Sequence, residues 1–139
     1  MSLYLLDTDH LTLYQQGNAG VVGGVVRHRA DQLAISVISV TEQLTGWQAA
    51  LNKTRDEARI EQIYIRMAQT VESLASWKVL HYPTAAMRTH DDLKRKKLNV
   101  SGNDLKIAAI ALEFNAIVVT RNQNDFVRVP GIKLDNWAS

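Results

Sequence analysis

Short apolar runs alternate with longer amphipathic stretches along this chain. Leu3-Tyr4-Leu5-Leu6 is an unbroken apolar run of strand length, as a strand buried on both faces requires. Asp7-Thr8-Asp9-His10 then offers helix-start chemistry ahead of Leu11-Thr12-Leu13-Tyr14, and Gly17-Asn18 ends that short helix. A second helix is predicted from Ala19 to Arg29, with Val21, Val22, Val25 and Val26 on one side. Its Gly20, Gly23 and Gly24 weaken propensity but permit close packing. Leu33 to Val37 reads as the second strand. Ser39-Val40-Thr41-Glu42 fits a capping box and opens a helix reaching Leu51, broken by Asn52-Lys53-Thr54.

The next helix is long, from Arg55 to Ala75. Ile60, Ile63, Tyr64, Met67, Val71 and Leu74 recur at three- and four-residue spacings, an amphipathic stripe read most simply as core. Trp77 to Tyr82 is the third strand. Pro83-Thr84 starts a helix ending in Lys94-Arg95-Lys96-Lys97, where cations suit the backbone dipole. Asp104 to Glu113 holds Ile107-Ala108-Ala109-Ile110-Ala111-Leu112, apolar nearly all round and therefore predicted to be buried, with Asn115 as a left-handed cap. Ala116 to Thr120 is the fourth strand, Asn122 to Phe126 a turn or short helix, and Ile132-Lys133-Leu134 an edge strand. Strands alternating with helices imply a mostly parallel sheet covered on both faces.

That topology gives the acids their interest. Asp7, Glu42, Asp104 and Asp125 each follow or close a strand-like run, including a short segment before Ser101-Gly102-Asn103 for Asp104. In a parallel α/β sheet, strand carboxyl ends collect in one crevice. Taken singly, each acid also reads as a cap or turn residue. Asp7 or Asp9 suits the first helix, Glu42 the return half of the Ser39 box, Asp104 the buried helix, and Asp125 a turn with Asn122. Capping does not, however, require the four to converge on one sheet edge. Two carboxylates ~4 Å apart repel by about 4 kcal/mol at an effective dielectric near 20. Without cations, one of the four should hold a proton at a raised pKa; one or two Mg²⁺ or Mn²⁺ ions would cancel the repulsion.

Composition narrows the chemistry. The 139 residues suit a single domain spanning 1–139, and 46% hydrophobic with 22% charged residues is ordinary for a globular protein. With no cysteine, disulfides and thiolate metal sites are excluded, and no H-E-x-x-H or His-rich cluster points to a softer metal. No G-x-S-x-G, Walker lysine loop or G-x-G-x-x-G occurs. The amino-terminal run meets an acid too early for a signal peptide, and no apolar run has the length of a membrane span, so a cytoplasmic location is expected. A net charge of +2 and a pI near 9.0 are compatible with a polyanionic partner without demonstrating one. Together these features point to metal-assisted hydrolysis of an anionic substrate such as RNA, in which a metal-activated water replaces a protein nucleophile.

Four segments carry a family resemblance: Leu5-Leu6-Asp7-Thr8-Asp9; Ile35-Ser36-Val37-Ile38-Ser39-Val40-Thr41-Glu42; Asp104 through Leu112; and Val119-Thr120-Arg121-Asn122-Gln123-Asn124-Asp125-Phe126, followed by Val129-Pro130-Gly131 and Trp137. In this order and spacing the chain resembles PIN-domain ribonucleases, and among them the VapC-type toxins of bacterial toxin–antitoxin pairs. The resemblance implies a PIN-like three-layer α/β/α sandwich with a mostly parallel sheet of about five strands. It implies a Mg²⁺- or Mn²⁺-dependent endoribonuclease, with Asp7, Glu42 and Asp104 as the strongest metal ligands and Asp125 acting through water. Thr120 matches a hydroxyl near the metals, and Asn122 a polar position leading to the fourth acid. A cognate antitoxin and a homodimer are likewise implied, with helices around the long stripe building the dimer or accepting an antitoxin segment in a groove. The chain departs from its relatives at Asp9, where Asn is common, and at Ser101-Gly102, where Gly often stands three residues before the third acid.

Other features read more plainly. Lys94 to Lys97 is a solvated helix face, whereas Arg121, between Thr120 and Asn122, is a candidate for RNA phosphate. Arg27-His28-Arg29 and Arg128 are further possible phosphate contacts. His10 could approach the site from the first helix but reads more simply as a packing or surface histidine, and Trp47, Trp77, Trp137 and Phe126 read as packing aromatics. An RNA-processing PIN nuclease without an antitoxin, and a noncatalytic RNA-binding module on the same fold, are the alternatives. A response-regulator reading lacks the phosphorylatable Asp after strand three, where His81-Tyr82-Pro83 stand.

Overall fold

The apolar runs become the strands of one parallel sheet in the computed structural model, which describes residues 1–139. The strands are β1 (Leu3–Leu6), β2 (Gln32–Ser36), β3 (Lys78–Leu80), β4 (Ile117–Val119) and β5 (Lys133–Asp135), in the order β3-β2-β1-β4-β5. The helices are α1 (Thr8–Gln15), α2 (Ala19–Arg27), α3 (Val37–Asn52), α4 (Glu57–Ala75), α5 (Thr84–Arg95), α6 (Gly102–Phe114) and the short α7 (Gln123–Phe126). The central strand β1 pairs with β2 on one side and β4 on the other, so its carboxyl end sits where the chain's winding reverses.

Strand pleating sorts the core into two layers. Leu5, Ala34 and Val118 lie side by side across the three central strands and pack with Ala86 and Leu93 of α5 and with Leu105 and Ile107 through Ala111 of α6. Leu6, Ile35 and Val119, one residue further along, face the opposite way and meet Leu11, Val21, Leu74 and Trp137. Every central strand is therefore covered on both faces, as its unbroken apolar run requires. Each fully buried Leu, Ile or Val contributes about 1.5–3 kcal/mol. The predicted burial of α6 holds: Leu105, Ile107, Ala108, Ala109, Ile110 and Ala111 are all buried, and Asn115 ends the helix in the left-handed region at φ 53°. The three-layer expectation is met, with the sheet parallel throughout.

The structure corrects three local readings. Helix α3 starts at Val37, not Ser39, because Ser36 at the end of β2 is its N-cap and accepts the Ser39 N–H at 3.2 Å. Glu42 therefore sits in the second turn of α3 and is not part of a capping box. No strand precedes Asp104; α5 leads into a loop in which Lys97 and Asn99 adopt positive φ, which prevents Leu98-Asn99-Val100 from extending. The stripe of α4 is only partly core. Ile63 and Leu74 are buried, but Tyr64 and Val71 are 56% and 51% exposed. Helix α4 packs chiefly against α3 and reaches the sheet only near its end, so part of its apolar side, at Tyr64 and Val71, is left uncovered.

Close approach explains two glycines in α2. A Cβ on Gly24 would lie 2.5 Å from the Trp137 ring, and one on Gly20 would lie 2.4 Å from the Trp137 carbonyl oxygen. The chain's last residues thus lie directly on α2, with Trp137 buried between that helix and the sheet.

Candidate active site

Three strand ends and two helix starts build one polar cleft. Asp7 follows β1, Thr120 follows β4, Ser36 ends β2 into α3, and Asp104 lies in the first turn of α6. The cleft is about 560 Å³ and is lined by Asp7, Thr8, Asp9, Thr12, Glu42, Asp104, Arg121 and Asn122, without a hydrophobic side chain. Of the four predicted acids, Asp7, Glu42 and Asp104 share this cleft. Asp125 does not line it; it stands behind Asn122 on α7.

Each acid is held by a different device. Asp7, only 4% exposed, is the N-cap of α1, and its Oδ1 accepts the His10 backbone N–H at 2.8 Å. The capping reading of Asp7 is thus true as well, and one carboxylate can serve both ends because its second oxygen remains. Glu42 accepts from the Thr8 hydroxyl at 2.8 Å, and the same hydroxyl lies 2.8 Å from the Ser39 hydroxyl. Since Thr8 has one proton to give, Ser39 donates to Thr8 and Thr8 to Glu42. Ser101 caps α6 by accepting the Asp104 N–H at 3.4 Å, which places Asp104 in the first turn of the helix, lining the cleft. The Asn122 amide donates to Asp104 at 3.3 Å and to Asp125 at 3.0 Å, tying the third acid to the fourth. Thr120 is fully buried and accepts the Asn122 backbone N–H at 2.9 Å, fixing the loop that carries this amide.

The electrostatics reflect crowding of like charge. Burial raises the Asp104 carboxyl above its ordinary range, and Asp7 and, more weakly, Glu42 push it further. Hydrogen bonds from Asn122 and Ser101 pull the other way without cancelling the rise. Asp9 behaves oppositely: its bidentate pair with Arg121, at 2.7 and 2.8 Å, holds its carboxyl below the usual value. The same pair raises the Arg121 guanidinium. The one arginine in the cleft is therefore already matched, and the inner acids have no cationic side chain of their own.

Such a donor set, all oxygen and net negative, suits a hard divalent cation. Ligand atoms within 4.8 Å of one another are found at Asp7, Asp9 and His10, a group that holds only the first of the four predicted acids. Two of those three are otherwise engaged, Asp9 by Arg121 and His10 Nε2 by the Trp137 backbone N–H at 3.2 Å. Thr8 and Ser39 were missed by sequence reasoning. Their only signals are position: Thr8 directly follows Asp7, and Ser39 precedes Glu42 by three residues, on the same helical face.

No family model matches the chain. It is 32% identical over 110 residues to the tRNA(fMet)-specific endonuclease VapC of Salmonella typhimurium, spanning 76% of each protein. It is 30% identical over 105 residues to ribonuclease VapC2 of Rickettsia felis, spanning 76% of this chain and 74% of that one. Among solved structures, VapBC2 from Rickettsia felis bound to a promoter DNA fragment aligns with a TM-score of 0.74 at 23% identity, covering 97% of this chain and 98% of the other. DNA-bound VapBC from Salmonella typhimurium aligns with a TM-score of 0.74 at 24% identity, covering 99% and 100%. These structural likenesses establish the shared fold.

Proposed function

The chain belongs to the VapC family of ribonucleases, and on that premise we propose that its acid-lined cleft is a divalent-metal-dependent endoribonuclease site. The protein is an endoribonuclease, the toxin member of a toxin–antitoxin pair. One observation supports the metal reading above others: Asp7, Glu42 and Asp104, distant in sequence, line one cleft with no free cationic partner.

Asp7, Glu42 and Asp104 would hold Mg²⁺ or Mn²⁺ through carboxylate oxygens, with Asp125 contributing through water. When bound, the ion supplies Lewis acidity toward water and toward the phosphodiester. The chain's own residues orient these groups. Ser39 and Thr8 pass a hydrogen bond to Glu42, which fixes one carboxylate oxygen and leaves the other to the cleft. Asn122 holds Asp104 and Asp125 at a fixed separation, and Thr120 holds Asn122. Arg121 uses Nε and Nη2 on Asp9, so its Nη1 remains to meet an RNA phosphate at the mouth of the cleft. The outcome is hydrolysis of an RNA phosphodiester bond.

Two features support the partner reading. A trough lined by Thr8, Thr12, Gln15, Gln43, Trp47 and Thr70 runs from the cleft between α1, α3 and α4, where an antitoxin segment would lie. The exposed Tyr64, Ile65 and Val71 of α4 suit a homodimer or antitoxin contact. No helix is long and apolar enough to cross a membrane.

The deciding experiment measures RNA cleavage by the purified chain with Mg²⁺, Mn²⁺ or EDTA, then repeats it with Asp7→Asn and Asp104→Asn. Cleavage should need the metal and fail in both variants. Activity indifferent to chelator and to both substitutions overturns the mechanism, and RNA binding that persists in both without any cleavage by the wild type favours a binding module.

A further inference from the structure

His10 occupies an unusual position for a titratable side chain. It lies on the first turn of α1, is fully buried, and touches the two ends of the chain at once. Its Nε2 accepts the backbone N–H of Trp137 at 3.2 Å, across 127 residues of sequence. A neutral imidazole that accepts at Nε2 carries its proton on Nδ1. That Nδ1 has no hydrogen-bond partner and stands 3.5 Å from Asp7 Oδ1. A buried donor without a partner costs about 1–3 kcal/mol, so the imidazole is an expensive residue here unless Asp7 completes the bond. The assignment of the proton also removes Nδ1 as a ligand, so His10 acts on the cleft only through Asp7.

Trp137 sets the imidazole firmly. Its indole stacks on His28 with centroids 4.6 Å apart and 11° between planes, and its Nε1–H donates to Asp135 at 3.0 Å. Gly24 leaves the space in which that ring lies. The backbone N–H of residue 137 is thereby held in place against α1.

We propose that His10 is a positioning residue for the cleft. Its Nδ1–H, fixed in that tautomer by the Trp137 backbone, faces Oδ1 of Asp7 at 3.5 Å, beside the His10 backbone N–H that this oxygen already accepts, and so leaves Oδ2 for the metal. What the carboxylate is positioned for rests on the metal reading above. Hydrogen-bond partners of a ligating group are worth about 10–100-fold in metal affinity.

Two substitutions separate the two ring nitrogens. Asn places an amide near the Nδ1 position and abandons Trp137; Gln reaches the Nε2 position and abandons Asp7. Mn²⁺ affinity of the full chain, measured by electron paramagnetic resonance, should fall about 10–100-fold in His10→Gln and stay within about threefold in His10→Asn. Equal loss in both variants, no loss in His10→Gln, or loss in His10→Asn alone overturns the proposal. Should either variant fail to fold, ¹⁵N resonance of the wild-type imidazole without metal decides it. A proton on Nδ1 that couples to Asp7 supports the assignment, and a proton on Nε2 overturns it. Wild-type protein that binds no Mn²⁺ defeats the metal reading instead, and the ¹⁵N measurement still settles His10.

Discussion

Two glycines on two helices should respond to the same substitution with opposite signs. Gly46 lies inside α3 with nothing within 4 Å of the position a Cβ would take. Gly46→Ala should therefore gain the difference in helix propensity, about 0.8–1 kcal/mol. Gly24 lies inside α2, where the same gain is available, but its Cβ would stand 2.5, 2.6 and 2.7 Å from three carbons of the Trp137 ring. That ring is stacked against His28 and tilted against Tyr4, so it cannot swing away freely. Overpacking costs about 1–3 kcal/mol; at about 2–3 kcal/mol, less the propensity gain, the net effect of Gly24→Ala is a loss of about 1–2 kcal/mol. Unfolding entropy near 2.1 cal/mol/K per residue makes 1 kcal/mol worth about 3 °C in a chain of 139 residues. Thermal melts followed by circular dichroism should place Gly46→Ala about 3 °C above the wild type and Gly24→Ala about 3–7 °C below it. Equal melting temperatures for the two variants would refute the argument, since they differ only in what the added methyl meets.

Asp104→Asn should raise the melting temperature in EDTA at neutral pH. The folded Asp104 carboxyl is raised, first by burial and then by Asp7, so the folded state binds this proton more tightly than the unfolded chain. Its contribution is full below the ordinary carboxylate range and is lost as pH rises through the raised value, so the wild-type advantage fades toward neutrality while the Asn variant is spared. A variant melting below the wild type at neutral pH in EDTA contradicts this. Arg121→Gln should flatten the salt dependence of RNA binding by about 0.7 in the log–log slope, the share of one phosphate contact on a single strand. An unchanged slope removes Arg121 from the substrate path.

Much of this protein was legible from local rules. The apolar runs that became strands, the buried helix α6 and the left-handed Asn115 all follow from periodicity and capping, which act within a few residues. Asp7 and Glu42 were legible together because parallel topology sends strand ends to one edge; Asp104 joins them in the cleft from the first turn of α6, with no strand before it. The start of α3 was less so. Ser36 and Ser39 both offer a hydroxyl directly ahead of a candidate first turn, and only the end of β2 chooses between them. The exposure of Tyr64 and Val71 was hidden because a helix resting on one neighbour and a helix resting on a sheet share the same 3.6-residue stripe.

The amino-acid order by itself determined the five sheet strands, the buried helix α6 and which acids could converge. Tertiary structure alone decided who holds them. Asp9 meets Arg121 across 112 residues, His10 meets Trp137 across 127, and the Asn122 amide spans Asp104 and Asp125. Hydrogen bonds form only within about 3 Å and over a narrow range of angles. Whether two distant residues satisfy that depends on strand register and helix docking throughout the sheet, and no local pattern in the chain encodes those.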